Sequence, residues 1–152
     1  MVLIGIDPPK GLAVSVDGRL TTVITTSFWD IINELDQHRK SGNAMLVYIE
    51  NTNANKSLYA KHNGKGHNIR TRIAQNVGSN KRDASLLMEW MDRNKIEYIA
   101  VPPRKDNQTK NNSTIFKKIT GWDAATSEHG RDAAMLFWGR SWQYDIAVKR
   151  GS

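Results

Sequence analysis

Residues 2–24 read VLIGIDPPKGLAVSVDGRLTTVI, and the pattern along this stretch decides the fold class. Val2 to Ile6 is an unbroken apolar run, the mark of a buried strand. Pro8-Pro9-Lys10-Gly11 reads as a turn. From Leu12 to Val16, apolar residues at 12, 14 and 16 alternate with small ones, which predicts a second strand. Asp17-Gly18 is a two-residue hairpin signal, so a third strand follows from Arg19 to about Ile24. The chain is thus expected to open with a three-strand antiparallel meander. The first strand ends in an acid, Asp7.

Working outward, the next segments alternate. Ser27 precedes a helix, with Asp30 three residues on as in a capping box. Phe28, Ile31, Ile32 and Leu35 follow the i, i+3, i+4, i+7 spacing of one buried helix face, and Ser41-Gly42-Asn43 stops it. Ala44 to Ile49 is nearly all apolar, as expected of a strand covered on both faces, and it too is followed by an acid, Glu50. Residues 51–68 are rich in Asn, Lys and Gly and read as a loop. Helical spacing resumes at Ile69, Ile73 and Val77, then Ala84, Leu87, Met88 and Met91. Gly78 interrupts it, leaving one long helix or two short ones. Glu97 to Val101 reads as a fifth strand closed by Pro102-Pro103. Residues 104–112 form a basic loop, Ser113 caps a short helix ending at Gly121, and a last helix runs from about Ser127 to Trp138. The order βββ-α-β-α-β-α-α predicts an α/β domain over residues 1–150. Its five-stranded mixed sheet has an antiparallel meander followed by parallel strands, and helices cover both faces.

Composition narrows the function classes. The chain has 152 residues, 39% hydrophobic and 24% charged, which suits a globular domain with an ordinary core. No apolar stretch approaches the ~18 residues of a membrane span, and MVLIGID lacks the basic start and cleavage site of a signal peptide. Cysteine is absent, which excludes disulfides and thiolate metal sites and agrees with a cytoplasmic setting. The net charge is +7. From Asn51 to Arg82 there is no acid, yet Lys56, Lys61, Lys65, Arg70, Arg72, Lys81 and Arg82 all fall there. Such a one-signed stretch makes a positive field suited to phosphates.

The acids supply the chemistry. Asp7 and Glu50 each end an apolar run. His129 and Asp132, in SEHGRDAAMLFW, stand three apart on a predicted helix, a step that shares one face. Hard oxygen ligands brought from distant segments suit a divalent ion, and a metal beside a polyanion-binding surface points to phosphodiester cleavage.

With these residues in place, the chain resembles the RuvC-type Holliday junction resolvases of the ribonuclease H-like superfamily. The resemblance runs from Met1 to about Gly139 and rests on IGIDPP with its hairpin, VYIEN, VPPRKDNQTKNNSTIFKKI and HGRDAAMLFW. The length and the Asn/Lys/Gly-rich segment after Glu50 suit a phage- or mobile-element-encoded member. The resemblance implies a ribonuclease H-like sheet and a homodimer that resolves four-way DNA junctions in recombination and repair. It also implies two magnesium ions, with manganese able to substitute. Asp7 would bridge both ions, Glu50 would bind one, and Asp132 with His129 the other. Glu128 competes with His129 for the last place. A lysine near the scissile phosphate would be Lys105 or Lys110, and Tyr59 stands where the family carries a wedging aromatic.

Arg104, Lys117 and Lys118 join the basic residues as expected phosphate contacts. The stretch Ile69–Met91 is the expected dimer surface, or else simply covers the sheet. The five tryptophans are expected to be mostly core, and His38, His62 and His67 solvated. Rival readings keep the site but change the substrate to RNA–DNA hybrid or flap, or drop catalysis for nucleic-acid binding alone. An actin-like phosphotransferase would need far more chain and a Gly-rich adenosine loop.

Overall fold

The computed structural model describes residues 1–51, 82–102 and 112–138. Three strands open the chain: β1 (Val2–Asp7), β2 (Gly11–Val16) and β3 (Arg19–Thr25). Asp17 and Gly18 make the β2–β3 turn with φ of 51° and 83°, the left-handed pair that a two-residue hairpin requires. Helix α1 (Phe28–Lys40) follows, then β4 (Met45–Glu50). Residues 82–93 are helical and are termed α2. β5 (Tyr98–Val101), α3 (Ser113–Thr120) and α4 (Glu128–Met135) complete the described fold.

The strands form one mixed sheet in the order β3-β2-β1-β4-β5. β1 pairs antiparallel with β2 and parallel with β4, and β5 extends the sheet parallel to β4. The α/β class and the mixed sheet therefore agree with the sequence reading. Boundaries differ slightly. Asp7 and Glu50 are the last residues of their strands rather than the residues just beyond them, β5 starts at Tyr98, and Asn112 rather than Ser113 caps α3 through Ile115 N–H. α4 ends at Met135, and residues 136–138 form turns, so Trp138 is not helical.

Two cores flank the sheet. On one face Ile4, Ile6, Leu12 and Ile49 pack with Ile31 and Leu35 of α1 and with Ala84, Leu87 and Met91 of α2. On the other, Ala13, Tyr48, Val101 and Phe116 pack with Ala133, Ala134 and Phe137. β4 is buried on both sides, as its apolar run predicts. α2 uses its apolar face to cover the sheet and leaves Leu86 46% exposed. The part of the expected dimer stretch before residue 82 lies outside the described residues.

Trp90, Trp122 and Trp138 pack against the cores, as expected of most tryptophans here, but Trp29 is 72% exposed, because the α1 residues Phe28, Ile31, Ile32 and Leu35 take the buried face and position 29 falls outside it. His38 is not simply solvated: its Nε2 lies 3.0 Å from Glu34 Oε1, one helical turn back, and its side chain is largely covered. No described helix is long and apolar enough to cross a membrane.

α4 lies unusually close to the sheet. A Cβ on Gly5 would overlap the carbonyl of Ala133, and one on Gly11 would overlap the carbonyl of His129. Gly130 makes the reciprocal approach, since a Cβ there would stand 2.9 Å from Ile24 N. Gly5→Val should therefore destabilise the fold by ~1–3 kcal/mol, the usual cost of overpacking. Urea unfolding should show a lower midpoint at unchanged slope. An unaltered midpoint would mean that the helix does not rest on this strand.

Candidate active site at the carboxyl ends of the strands

Alternation along each strand sets which side chains share a face. Ile4 and Ile6 point to the α1–α2 core, so Leu3, Gly5 and Asp7 point to the α3–α4 side. Ile49 and Tyr48 divide in the same way, which puts Glu50 on that side too. Ile6 and Ile49 are partners in the parallel register. Asp7 and Glu50 follow them directly, at the ends of adjacent strands about 4.8 Å apart. From β1 the chain turns to β2 and β3 on one side before crossing to β4 and β5 on the other. Asp7 thus stands where the strand order reverses, the place at which open α/β sheets form their sites.

α4 brings the imidazole. The carbonyl of its second residue, His129, approaches Gly11, and that of Ala133, one turn on, approaches Gly5. The helix therefore starts at the carboxyl end of β1 and runs back along it. Its start is fixed by the Ser127 cap, which accepts from Gly130 N–H at 3.1 Å and receives the Thr25 hydroxyl at 2.6 Å. Arg131, only 8% exposed, donates through Nη1 to the Thr126 carbonyl at 3.2 Å and to its hydroxyl oxygen at 2.9 Å. The segment before the helix is thus tied to the helix itself. His129 Nδ1 then lies 3.2 Å from Asp7 Oδ2, with Asp7 14% and His129 52% exposed. A half-open imidazole held against a mostly covered carboxylate can orient that carboxylate or pass a proton to solvent.

Of the expected metal ligands, the structure places Asp7 and His129 in contact and sets Glu50 beside Asp7 by register. Asp132 lies one helical turn after His129 and is half-buried. Glu128 starts the helix and is exposed. Neither these acids nor Glu50 is without a partner. Among the described residues, no three or more acidic or imidazole side chains converge as a ready metal-holding group.

The basic residues divide. Arg82 begins the described part of α2, one helix length from the turn into β5 and so towards the carboxyl ends of the strands. Lys117 and Lys118 sit in the last turn of α3. That helix ends at Gly121, which lines a cleft of about 430 Å³ with Gly18 and Arg19 of the β2–β3 hairpin, at the opposite end of the sheet from Asp7. Lys56, Tyr59, Lys61, Lys65, Arg70, Arg72, Lys81, Arg104, Lys105 and Lys110, like His62 and His67, lie outside the described residues.

Sequence reasoning missed three contributors here. Arg131 was hidden between the more conspicuous His129 and Asp132. Thr25 is a cap partner supplied from 102 residues away, which no local pattern announces. Gly11 reads as a turn residue, yet it also makes room for the His129 carbonyl. Compared with family models, curated proteins and solved structures, the chain matches none of them.

Ser127→Ala should cost about 1 kcal/mol of stability, the usual worth of an N-cap hydroxyl. It should also loosen His129, since both are set by the first turn of α4. The check is the pair of imidazole proton resonances of His129, which should broaden or shift in Ser127→Ala while those of His38 stay in place.

Proposed function

We propose that the chain is a magnesium-dependent endonuclease of ribonuclease H-like fold that cleaves branched DNA, four-way junctions foremost. The observation that carries this reading is the placement of Asp7 and Glu50 at adjacent strand ends, on the face where α4 lays His129 against Asp7. Carboxylate oxygens are the donors magnesium prefers, and it needs few of them because water and substrate phosphate complete its shell. Asp7 and Glu50 fit the ion by donor type and stand at adjacent strand ends, which supports the reading. Asp7, Glu50, Asp132 and His129 would hold it, and manganese would tolerate the imidazole better.

Magnesium bound there would supply an activated water and neutralise charge on the phosphate. The remaining work falls to the chain. Asp7, mostly covered, is kept in one orientation by His129 and by the strand that carries it. His129, half exposed, closes over Asp7 from the solvent side and leaves its other ring nitrogen for the ion. Arg82 and the basic residues between Asn51 and Arg82 would draw in the phosphate backbone, and Lys105 or Lys110 would stand near the scissile bond. A homodimer would present two such sites to opposing strands of a junction. A cytoplasmic location agrees with a substrate of this kind.

The deciding experiment is a cleavage panel with magnesium: four-way junction, fork, duplex, single strand and RNA–DNA hybrid. Junction cleavage should dominate, stop in excess chelator, and disappear in Asp7→Asn while junction binding persists. His129→Ala should lose most turnover and Glu128→Ala little; the reverse would move the last ligand one residue earlier. Cleavage of the hybrid alone would transfer the same site to a ribonuclease H-type substrate. Full activity in chelator would remove the metal from the mechanism.

Affinity should fall steeply with salt, the log–log slope steepening by about 0.9 for each duplex phosphate neutralised. Arg82→Ala should flatten that slope, whereas Lys118→Ala, at the far end of the sheet, should leave it nearly unchanged. A flat slope for the unmodified protein would show that its positive charge does not meet nucleic acid.

A further inference from the structure

Trp29 has no part in the site as drawn so far, yet it is the most exposed large apolar side chain among the described residues, at 72%. Tryptophan on a helix of this pattern normally turns inward, and an outward ring leaves its apolar faces in water. The four inward positions of α1 are already filled by Phe28, Ile31, Ile32 and Leu35. The exposure of position 29 is therefore set by the helix phase, and the core gains nothing from the ring.

The ring is nevertheless held. Phe28 meets it edge-on, with centroids 5.5 Å apart and planes at 89°. The first turn of α1 is fixed by Ser27, which accepts from Asp30 N–H at 3.1 Å, and by the Thr26 hydroxyl, 3.0 Å from Asp30 Oδ2. Asp30, the acid of that turn, is thereby turned back to Thr26. Thr26 N–H donates to the Lys10 carbonyl at 2.7 Å, which joins the start of α1 to the β1–β2 turn.

Position matters as much as rigidity. Asp7 pairs with Gly11, and Gly11 pairs with Thr25. Two strand spacings thus separate Asp7 from the end of β3, about 10 Å, and Trp29 follows four residues later at the same end of the sheet, on a helix that covers the face opposite to the one Asp7 points to. Lys10 is exposed on the turn between them. Both α1 and α4 begin at this end, so the positive poles of both helices face it.

We infer that Trp29 is a stacking platform for one unpaired base of the nucleic-acid strand whose backbone is engaged at Asp7. The inference rests on the nucleic-acid reading of that site and adds a specificity element to it: a preference for strands that pass around the end of the sheet with an unstacked base a few nucleotides from the scissile phosphate. A base is favoured over a protein partner by size. A stable protein interface buries about 800 Å² on each side, whereas the exposed large apolar side chains described between β3 and α1 are Ile24 and Trp29 alone. One ring is what one base requires, and the overall charge of +7 favours the polyanion.

The test uses the full chain, with calcium replacing magnesium to hold off cleavage, and fluorescence anisotropy on a four-way junction and on a single strand. Trp29→Ala should weaken binding about 5- to 100-fold, the range for loss of one base–aromatic stack, and Trp29→Phe should restore most of it. Under cleavage conditions the loss should appear in KM, with kcat kept. An abasic nucleotide walked along the strand should weaken binding by the native protein at one position and leave Trp29→Ala indifferent there. Equal binding by Trp29→Ala and the native protein would overturn the platform while leaving the nuclease reading in place. A loss that is the same on intact and abasic DNA at every position would make Trp29 structural. Weakened self-association without weakened DNA binding would assign the ring to a second copy of the chain. Absence of DNA binding by the native protein would end both readings together.

Discussion

The close approach of α4 to the meander is the constraint on which the rest depends. Side chains normally keep a helix about a side-chain diameter away from a sheet. Gly5 and Gly11 remove that spacer on β1 and on β2, and Gly130 removes it on the helix. Backbone then meets backbone, and the carbonyls of His129 and Ala133 rest directly over glycines. This contact sets the height of α4 above the sheet. It is also the reason a short imidazole on the helix can reach a short carboxylate on the strand. With larger residues at these positions the helix would ride higher, and His129 would no longer meet Asp7.

Height alone would leave the helix free to slide along its own axis. The Thr25 hydroxyl from the edge strand, donated to Ser127, removes that freedom, and the Ser127 cap and the buried Arg131 hold the start of the helix together so that this one anchor carries to the whole. Each is a polar contact at the sheet end rather than in the core. Core packing of Ala133, Ala134 and Phe137 therefore supplies adhesion, while the polar contacts supply register. The division suits the contact of His129 with Asp7, because adhesion tolerates small shifts and a polar contact of 3.2 Å does not.

Much of the architecture was legible in the sequence. The apolar run before Asp7, the alternation from Leu12 to Val16 and the Asp17-Gly18 turn specify the meander through local rules. Phe28, Ile31, Ile32 and Leu35 specify α1 and its buried face. Asp7 and Glu50 stood out because an acid at the end of an apolar run cannot be core. What was not legible depends on contacts between distant segments. Nothing near Thr25 announces Ser127, and nothing near Gly5 announces Ala133. The outward turn of Trp29 follows from the same periodicity that identified its neighbours, and it is the exception among tryptophans expected to be mostly core. The partnership of Asp7 with His129 was readable only as a shared destination, since which side chains touch is settled by the height and register of α4.

The order in which these pieces are made has its own consequence. The meander closes through very short turns, so its contacts are local and cheap in chain entropy. β4 must return across α1 to join β1, and α4 docks on strands laid down more than a hundred residues before it. A chain growing from its amino end therefore holds the hairpins early and waits for their cover. Until residues 128–137 emerge, the face bearing Leu3, Ala13 and Val23 is open, and an open sheet face is prone to association with its like. The two halves of the Asp7–His129 pair are thus the first and last parts of the described fold to be made. Their meeting joins the first strand of the described fold to its last helix, and a chain lacking that helix would hold the acid without this imidazole.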